Sequence, residues 1–444
     1  MWRGVISTGL VAAVSWSAPM IAQPAPSPAP AASQAARPDS RAVVAEVRRI
    51  IAERYVLPER RPALDAVLAQ GLASGRYDVD DPMTLAERIN ADLDATGRDR
   101  HLNFTYNPQA AASAAGQDQP QPQPDSAAGL RRTRAANHGV TELRVLPGNI
   151  RYMAYDGFMW IGPESAAALE NAMRFLSGGD AVIIDIRRNG GGSPDAVQYL
   201  VSHFLPPDQP LVTFYMNGRP DPDRLATLSE LPAGRMVGKP LYVLTSSRTG
   251  SAAEEFAGHI GGFRIGELIG ETTSGAGFRN DLVPIAGQFV LSVSVGRAVL
   301  ASTGRDWEAV GISPTTAVPP PQALQVAQLH ALRRLAQAAP APEKSRLEAM
   351  AAVMAAQVEP IATALPLAAY AGRFGERTIW LEDGRLALQR ENGPKLPMIA
   401  IGPNLFAFEA DPLTRVQFSV AADNATGFEL VRGDGSRVSA SRTP

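Results

Sequence analysis

The sequence predicts an α/β protein with an N-terminal helical domain, an α/β core with crossover connections and a small antiparallel β module at the C-terminus. Three observations predict it. Apolar residues recur at helical spacing through residues 41–104, where Val43, Val44, Val47, Ile50 and Ile51 set the pattern. Short apolar runs then alternate with helical stretches through 136–321, as in a sheet joined by crossovers. From about Tyr370 onward, short strands are punctuated by Asp383-Gly384, Asn392-Gly393 and Asp434-Gly435.

The 444 residues exceed a typical domain of about 100–200 residues, so several folded units are expected. Met1-Trp2-Arg3 and the apolar run of 5–21, too short and too broken by Ser, Ala and Gly for a good membrane span, read as an export signal over 1–22. An uncleaved anchor is the alternative. The protein is therefore expected to be exported, periplasmic or secreted, with no stable membrane span after signal cleavage. Residues 23–40, rich in Pro, Ala, Ser and Gln, cannot bury enough apolar surface to fold and form a linker. The helical domain over 41–104 holds three helices and closes with the polar turn Asp99-Arg100-His101-Leu102.

A second low-complexity linker covers 105–135. In the core, strands are expected over 140–145, 150–155, 181–186 and 241–245, and helices over 166–176, 195–204 and 252–260. A helical connector over 322–364 leads to the β module of 365–444, whose clearest hairpin signal spans 380–388. The formal net charge of -2 offers no basic surface for nucleic acid. With no cysteine in the chain, disulfides, thiol catalysis and thiolate metal sites are excluded.

The candidate chemistry centres on Gly250-Ser251-Ala252-Ala253-Glu254, where the strand over 241–245 turns into a helix. A hydroxyl at such a corner can act as a nucleophile, and the N–H groups of the helix N-terminus can stabilise an oxyanion. The same residues spell a capping box, in which Ser251 and Glu254 satisfy each other's backbone N–H groups, so this segment alone leaves both readings open. The loop Asn189-Gly190-Gly191-Gly192-Ser193-Pro194 breaks a strand and restarts a helix. Its glycines can bring N–H groups close to a ligand, with a tight turn or a phosphate cradle as the alternatives. It matches neither a dinucleotide fingerprint nor a P-loop.

Of the five histidines, His203 and His259 fall in helices, His330 in the helical connector and His138 beside the linker, whereas His101 lies in a short polar turn. Glu308, in Trp307-Glu308-Ala309-Val310-Gly311, sits in a compact turn from which a carboxylate could orient an imidazole. A solvated glutamate is the plainer alternative.

Together these segments resemble the tail-specific (C-terminal processing) protease family, in its tricorn-like and interphotoreceptor retinoid-binding-protein-like branch, over about residues 41–320. Asp99-Arg100-His101-Leu102 is similar to the branch's Asp-x-His-Leu segment, and Leu146-Pro147-Gly148-Asn149-Ile150 to its Leu-Pro-x-Asn-Ile strand. Asp185 to Gly192 is similar to the family's strand and glycine loop, Gly250 to Phe256 to its serine segment, and Gly270-Glu271-Thr272-Thr273-Ser274-Gly275 to the loop that follows. Glu308 to Pro314 is similar to the closing Glu-x-x-Gly-Val-x-Pro segment.

The resemblance implies a ClpP/crotonase-like core and serine-type hydrolysis of peptide bonds, with no cofactor and no metal. The processing proteases proper activate their serine with a lysine at the position where Ala276 stands, and no lysine occurs between Lys239 and Lys344. The branch implies instead Ser251 as nucleophile, His101 as base and Glu308 as support for the base. Gly191 and Ala252 would then supply the oxyanion hole. Glu254, one helical turn from Ser251, is a second candidate for the supporting carboxylate. Peptides or unfolded proteins are the implied substrates, although no peptide-binding PDZ insert is visible. A non-catalytic binder of apolar ligands or peptide tails on the same fold, and an esterase, are the rival functions.

Overall fold

In the computed structural model, residues 39–97, 99–115 and 127–443 are described. The expected export signal over 1–22, its linker up to residue 38 and the middle of the second linker lie outside them. Helices α1 (Ser40–Arg54), α2 (Arg61–Ala73) and α3 (Pro82–Gly97) each bury one stripe: Val43, Val47 and Ile50 on the first, Leu64 and Leu68 on the second, Leu85, Ile89 and Leu93 on the third. Asp39 caps α1 by accepting from the Ala42 N–H at 3.1 Å. These stripes do not close on one another alone. Their core also takes in Phe104 of β1 (Asn103–Tyr106) and Phe289, Leu291 and Val293 from a strand far along the chain. The turn carrying His101 is thereby pinned between α3 and β1.

Where composition predicts a linker over 105–135, α4 (Pro108–Ala115) and α5 (Ala127–Ala135) are helical. The support for α5 is external, which a local reading cannot see: Arg134 donates twice to Glu164, at 2.7 and 2.9 Å, and Thr133 is buried.

The core continues as β2 (Val140–Leu146), β3 (Ile150–Tyr155), α6 (Pro163–Ser177), β4 (Ala181–Asp185), α7 (Pro194–Ser202), β5 (Pro210–Met216), β6 (Asp223–Ala226), β7 (Leu241–Thr245), α8 (Ala252–Gly262), β8 (Glu267–Gly270), β9 (Phe278–Ile285), β10 (Phe289–Leu300) and β11 (Thr316–Ala317). Two sheets result. The first is ordered β11-β8-β7-β4-β3-β2, and every pairing except β2 with β3 is parallel, as helical crossovers require. Val182 and Ile184 of β4 share a core with α6, α7 and α8, whereas Ala181 and Ile183 face α9 (Pro320–Ala338) and α10 (Ala341–Val358). Each of the two isoleucines, wholly buried on opposite faces, contributes roughly 1.5–3 kcal/mol, so a one-residue slip would displace both from their partners. Because β4 and β7 are parallel neighbours, their C-terminal ends lie at one edge, and the glycine loop and Ser251 meet there.

The second sheet is antiparallel: long β10 pairs with β9 along one edge and with β1 and then β5 along the other, and β6 extends β5. The C-terminal module consists of eight antiparallel strands between residues 372 and 441, in sequence order, around a core that includes Tyr370, Phe374, Phe406, Phe418 and Phe428. The Thr443 N–H donates to the Arg373 carbonyl at 2.8 Å, which brings the last strand back to the first and shields the edges of this barrel-like unit. No helix among the described residues is long and apolar enough to cross a membrane.

Candidate active site

The junction from β7 into α8 is stitched to the glycine loop after β4. Ser246 Oγ donates to the Arg187 carbonyl at 2.6 Å, Thr249 Oγ1 to the Ile186 carbonyl at 2.9 Å, and the Gly250 N–H to the Asn189 carbonyl at 3.1 Å. Ser251, at the corner, has φ 52° and ψ -122°. A side chain there is strained by about 1–3 kcal/mol, which the surroundings must over-determine. Glu254 does so from the first turn of α8, its Oε2 accepting from the Ser251 N–H at 2.8 Å.

Gly191 closes on this corner. Its φ is 113°, and a methyl group in place of its hydrogen would come within 2.7 Å of Ser251 Cβ, so glycine alone lets the loop backbone approach the hydroxyl. The Gly191 N–H donates to Asn189 Oδ1 at 2.9 Å, a partner that sequence reasoning did not foresee. Ala252, as the first residue of α8, has no carbonyl a turn earlier to bond.

Glu254 is wholly buried. Besides the Ser251 N–H it accepts from the N–H groups of Gly275 at 2.6 Å and Ala276 at 2.8 Å, and from the hydroxyls of Thr273 at 2.6 Å and Ser274 at 3.1 Å. All of its hydrogen bonds among the described residues go to Ser251 and the loop of 273–276, and none to His101. Its lone pairs are committed to this corner and this loop.

The histidine lies with different carboxylates. A ring nitrogen of His101 and one oxygen each of Asp99 and Glu308 lie within 4.8 Å of one another. Asp99 Oδ1 accepts from the N–H groups of His101 at 2.9 Å and Leu102 at 3.2 Å. Glu308 Oε2 accepts from the N–H groups of Gly277 at 2.6 Å and Phe278 at 3.0 Å, and its Oε1 from Arg100 at 3.2 Å. His101 Nδ1 and Asp99 Oδ2 are buried without a hydrogen-bond partner among the described residues. Burial holds the His101 imidazole below its ordinary value, against the opposing pull of the Asp99 and Glu254 charges. Burial, then the negative charge of Asp99, pushes Glu308 up to about 7 despite its three backbone donors. The donor set of one histidine and two carboxylates is one a divalent cation accepts, although an imidazole between two carboxylates is equally a base with its supports.

No hydrogen bond joins Ser251 to His101 among the described residues. The loop of 273–278 bridges their clusters, its first half bound by Glu254 and its second by Glu308. Trp307 Nε1 donates to the Ala276 carbonyl at 3.1 Å and the Ala309 N–H to Gly275 at 2.8 Å, clamping that loop to the closing segment. Ser251 opens on a cavity of about 890 Å³ whose wall includes Gly191, Gly192, Ala252, Phe158, Phe214 and Trp307. Ala276 is on that wall as well. Asp99 was legible only as part of a motif, two residues before His101. Its burial carried no signal in the sequence.

The model for peptidase family S41 matches residues 149–318, and that for the N-terminal domain of peptidase S41 in eukaryotic IRBP matches residues 34–137. The carboxy-terminal processing protease CtpB of Bacillus subtilis (strain 168) is 25% identical over 183 residues, 41% of this chain and 36% of that protein, so the match spans about a third of that relative's length. Among solved structures, the photosystem II D1 C-terminal processing protease is similar at 18% identity and a TM-score of 0.41, over 64% of this chain and 94% of its own. A lipoprotein from Streptococcus agalactiae is similar at 15% identity and a TM-score of 0.45, over 67% and 97%. The tricorn protease is similar at 12% identity and a TM-score of 0.40, over 65% and 35%. With two models of one family falling on the helical part and the core, and the family's landmarks in order between them, the chain belongs to peptidase family S41, a family of serine-type peptidases that includes the tail-specific processing proteases.

Proposed function

We propose that this protein is an exported serine peptidase that hydrolyses peptide bonds with Ser251 as nucleophile, activated by histidine as in the tricorn-like branch. The observation that carries the reading is the strained Ser251 corner, open to a cavity and pressed against Gly191. Ser251 Oγ attacks the peptide carbonyl as His101 takes its proton. Glu308, ionised, stabilises the imidazolium that forms, His101 gives the proton to the leaving amine, and water, deprotonated by His101, then hydrolyses the acyl-serine and the proton returns to Ser251 Oγ. The Ala252 N–H supplies one oxyanion donor. Gly191 supplies the second when its N–H turns from Asn189 Oδ1 to the developing charge. The bond between Ser251 and His101 forms on substrate binding, since catalytic hydrogen bonds tighten in the loaded site.

A fluorophosphonate probe tests this: it labels the wild type, fails on Ser251→Ala, and labelling parallels cleavage of an unstructured peptide. A wild type that neither labels nor cleaves any peptide, while remaining folded, sinks the proposal. The aromatic wall of Phe158, Phe214 and Trp307 favours one rival, a binder of apolar ligands, which would show ligand binding unaffected by Ser251→Ala. Comparison of matched peptide and ester substrates separates a peptidase from an esterase.

A further inference from the structure

Glu255 follows Glu254 on α8, yet its surroundings are the reverse. It is 3% exposed, lies one helical turn beyond Ser251 and lines the same cavity. Its carboxylate accepts no hydrogen bond among the described residues. Among the described residues, its one ion-pair neighbour within 4 Å is His259 Nε2, at 3.5 Å, and neither nitrogen of that wholly buried imidazole has a hydrogen-bond partner there. A buried carboxylate without donors is costly, and a ligand that brings a donor or a positive charge removes the cost.

The other charged residues on the cavity wall differ. Arg132 and Asp195 are exposed, Asp156 pairs with Arg188 at 3.0 Å, and Arg279 is half-buried with its guanidinium 5.1 Å from the centre of the Phe214 ring. Among the described residues, Glu255 is thus the only buried charged residue on that wall. The apolar part of the wall, from Phe158, Phe214 and Trp307, suits a side chain with a long apolar stem. An apolar approach that ends on a buried anion selects a cationic head.

We propose that Glu255 forms the floor of a substrate subsite that takes a lysine or arginine side chain beside the scissile bond. The inference rests on the peptidase reading, and two measurements keep the two apart. Agmatine, a guanidinium on a short apolar stem, is titrated calorimetrically into Ser251→Ala and into Ser251→Ala/Glu255→Gln, which needs no catalysis. Binding to the first is expected, and the second weaker by about 30-fold or more. Blocked peptides differing only in the residue before the scissile bond are then offered to the active enzyme. Lysine and arginine should exceed leucine and glutamate by about 30-fold or more in kcat/KM. Glu255→Gln should bring that ratio close to one and Glu255→Asp should keep its direction, with fluorophosphonate labelling of Ser251 as the check that each variant is folded. Absent agmatine binding, or equal binding to both proteins, overturns the subsite whatever the peptides show. A preference for glutamate assigns the cavity to Arg279 and overturns it too. Agmatine binding as expected with no peptide cleaved upholds the subsite and removes the peptidase reading.

Discussion

Glu254 and Glu308 are withdrawn from solvent in the same site and grip the same loop, yet their surroundings differ. Glu254 accepts five hydrogen bonds, three of them from backbone N–H groups, and holds both the Ser251 backbone and the loop of 273–276. Glu308 accepts three, faces the charge of Asp99 and is raised to about 7. On its side lie two polar atoms left without hydrogen-bond partners among the described residues, His101 Nδ1 and Asp99 Oδ2. Where two carboxylates differ this way, the saturated one fixes geometry and the unsaturated one is free to follow a proton.

The largest expected effect breaks the comparison from the Glu308 side. Glu308→Gln should lower kcat/KM by about 10⁴-fold, as when the carboxylate behind a catalytic histidine is neutralised. A variant within tenfold of wild type would remove Glu308 from the mechanism. Glu254→Ala attacks the other half and should show first in stability, by roughly 3–5 kcal/mol in denaturant unfolding, because it leaves two hydroxyls and three N–H groups without their acceptor. A loss below about 1 kcal/mol would mean that water or loop rearrangement replaces the carboxylate. Gly191→Ala comes next. The added methyl meets Ser251 Cβ, and we expect kcat/KM to fall by about 10²–10³-fold through misplacement of the oxyanion donor.

The same contrast separates what was legible in the sequence from what was not. Ser251, the glycine loop and the order of strands around them follow from local pattern, because a strand that turns through glycine into a capped helix announces itself in consecutive residues. The candidate roles of His101 and Glu308 came from a resemblance, since no spacing rule links positions brought together by a shared sheet. The commitment of Glu254 to Thr273, Ser274, Gly275 and Ala276 was invisible for the same reason: a capping-box glutamate and a loop anchor are spelled alike. The helix over Ala127–Ala135 was missed because composition reports local propensity, and Glu164 lies outside that window.

The smallest effect sharpens the comparison through pH. A carboxyl that titrates near 7 when folded and near its ordinary 4.5 when unfolded holds its proton more tightly in the folded protein. The stability it contributes is complete below about pH 4.5 and is lost as pH rises through about 7. Activity should move the opposite way, because Glu308 supports an imidazolium only when ionised, while burial already keeps His101 neutral and ready as a base. In wild type, kcat/KM should therefore climb with an apparent pKa near 7 as the thermal midpoint declines over the same interval. Glu308→Gln should flatten that decline. A wild-type midpoint that holds steady from pH 5 to 8 would place Glu308 with Glu254, as a second fixed anchor, and the proton would have to be managed by Asp99 and His101 alone.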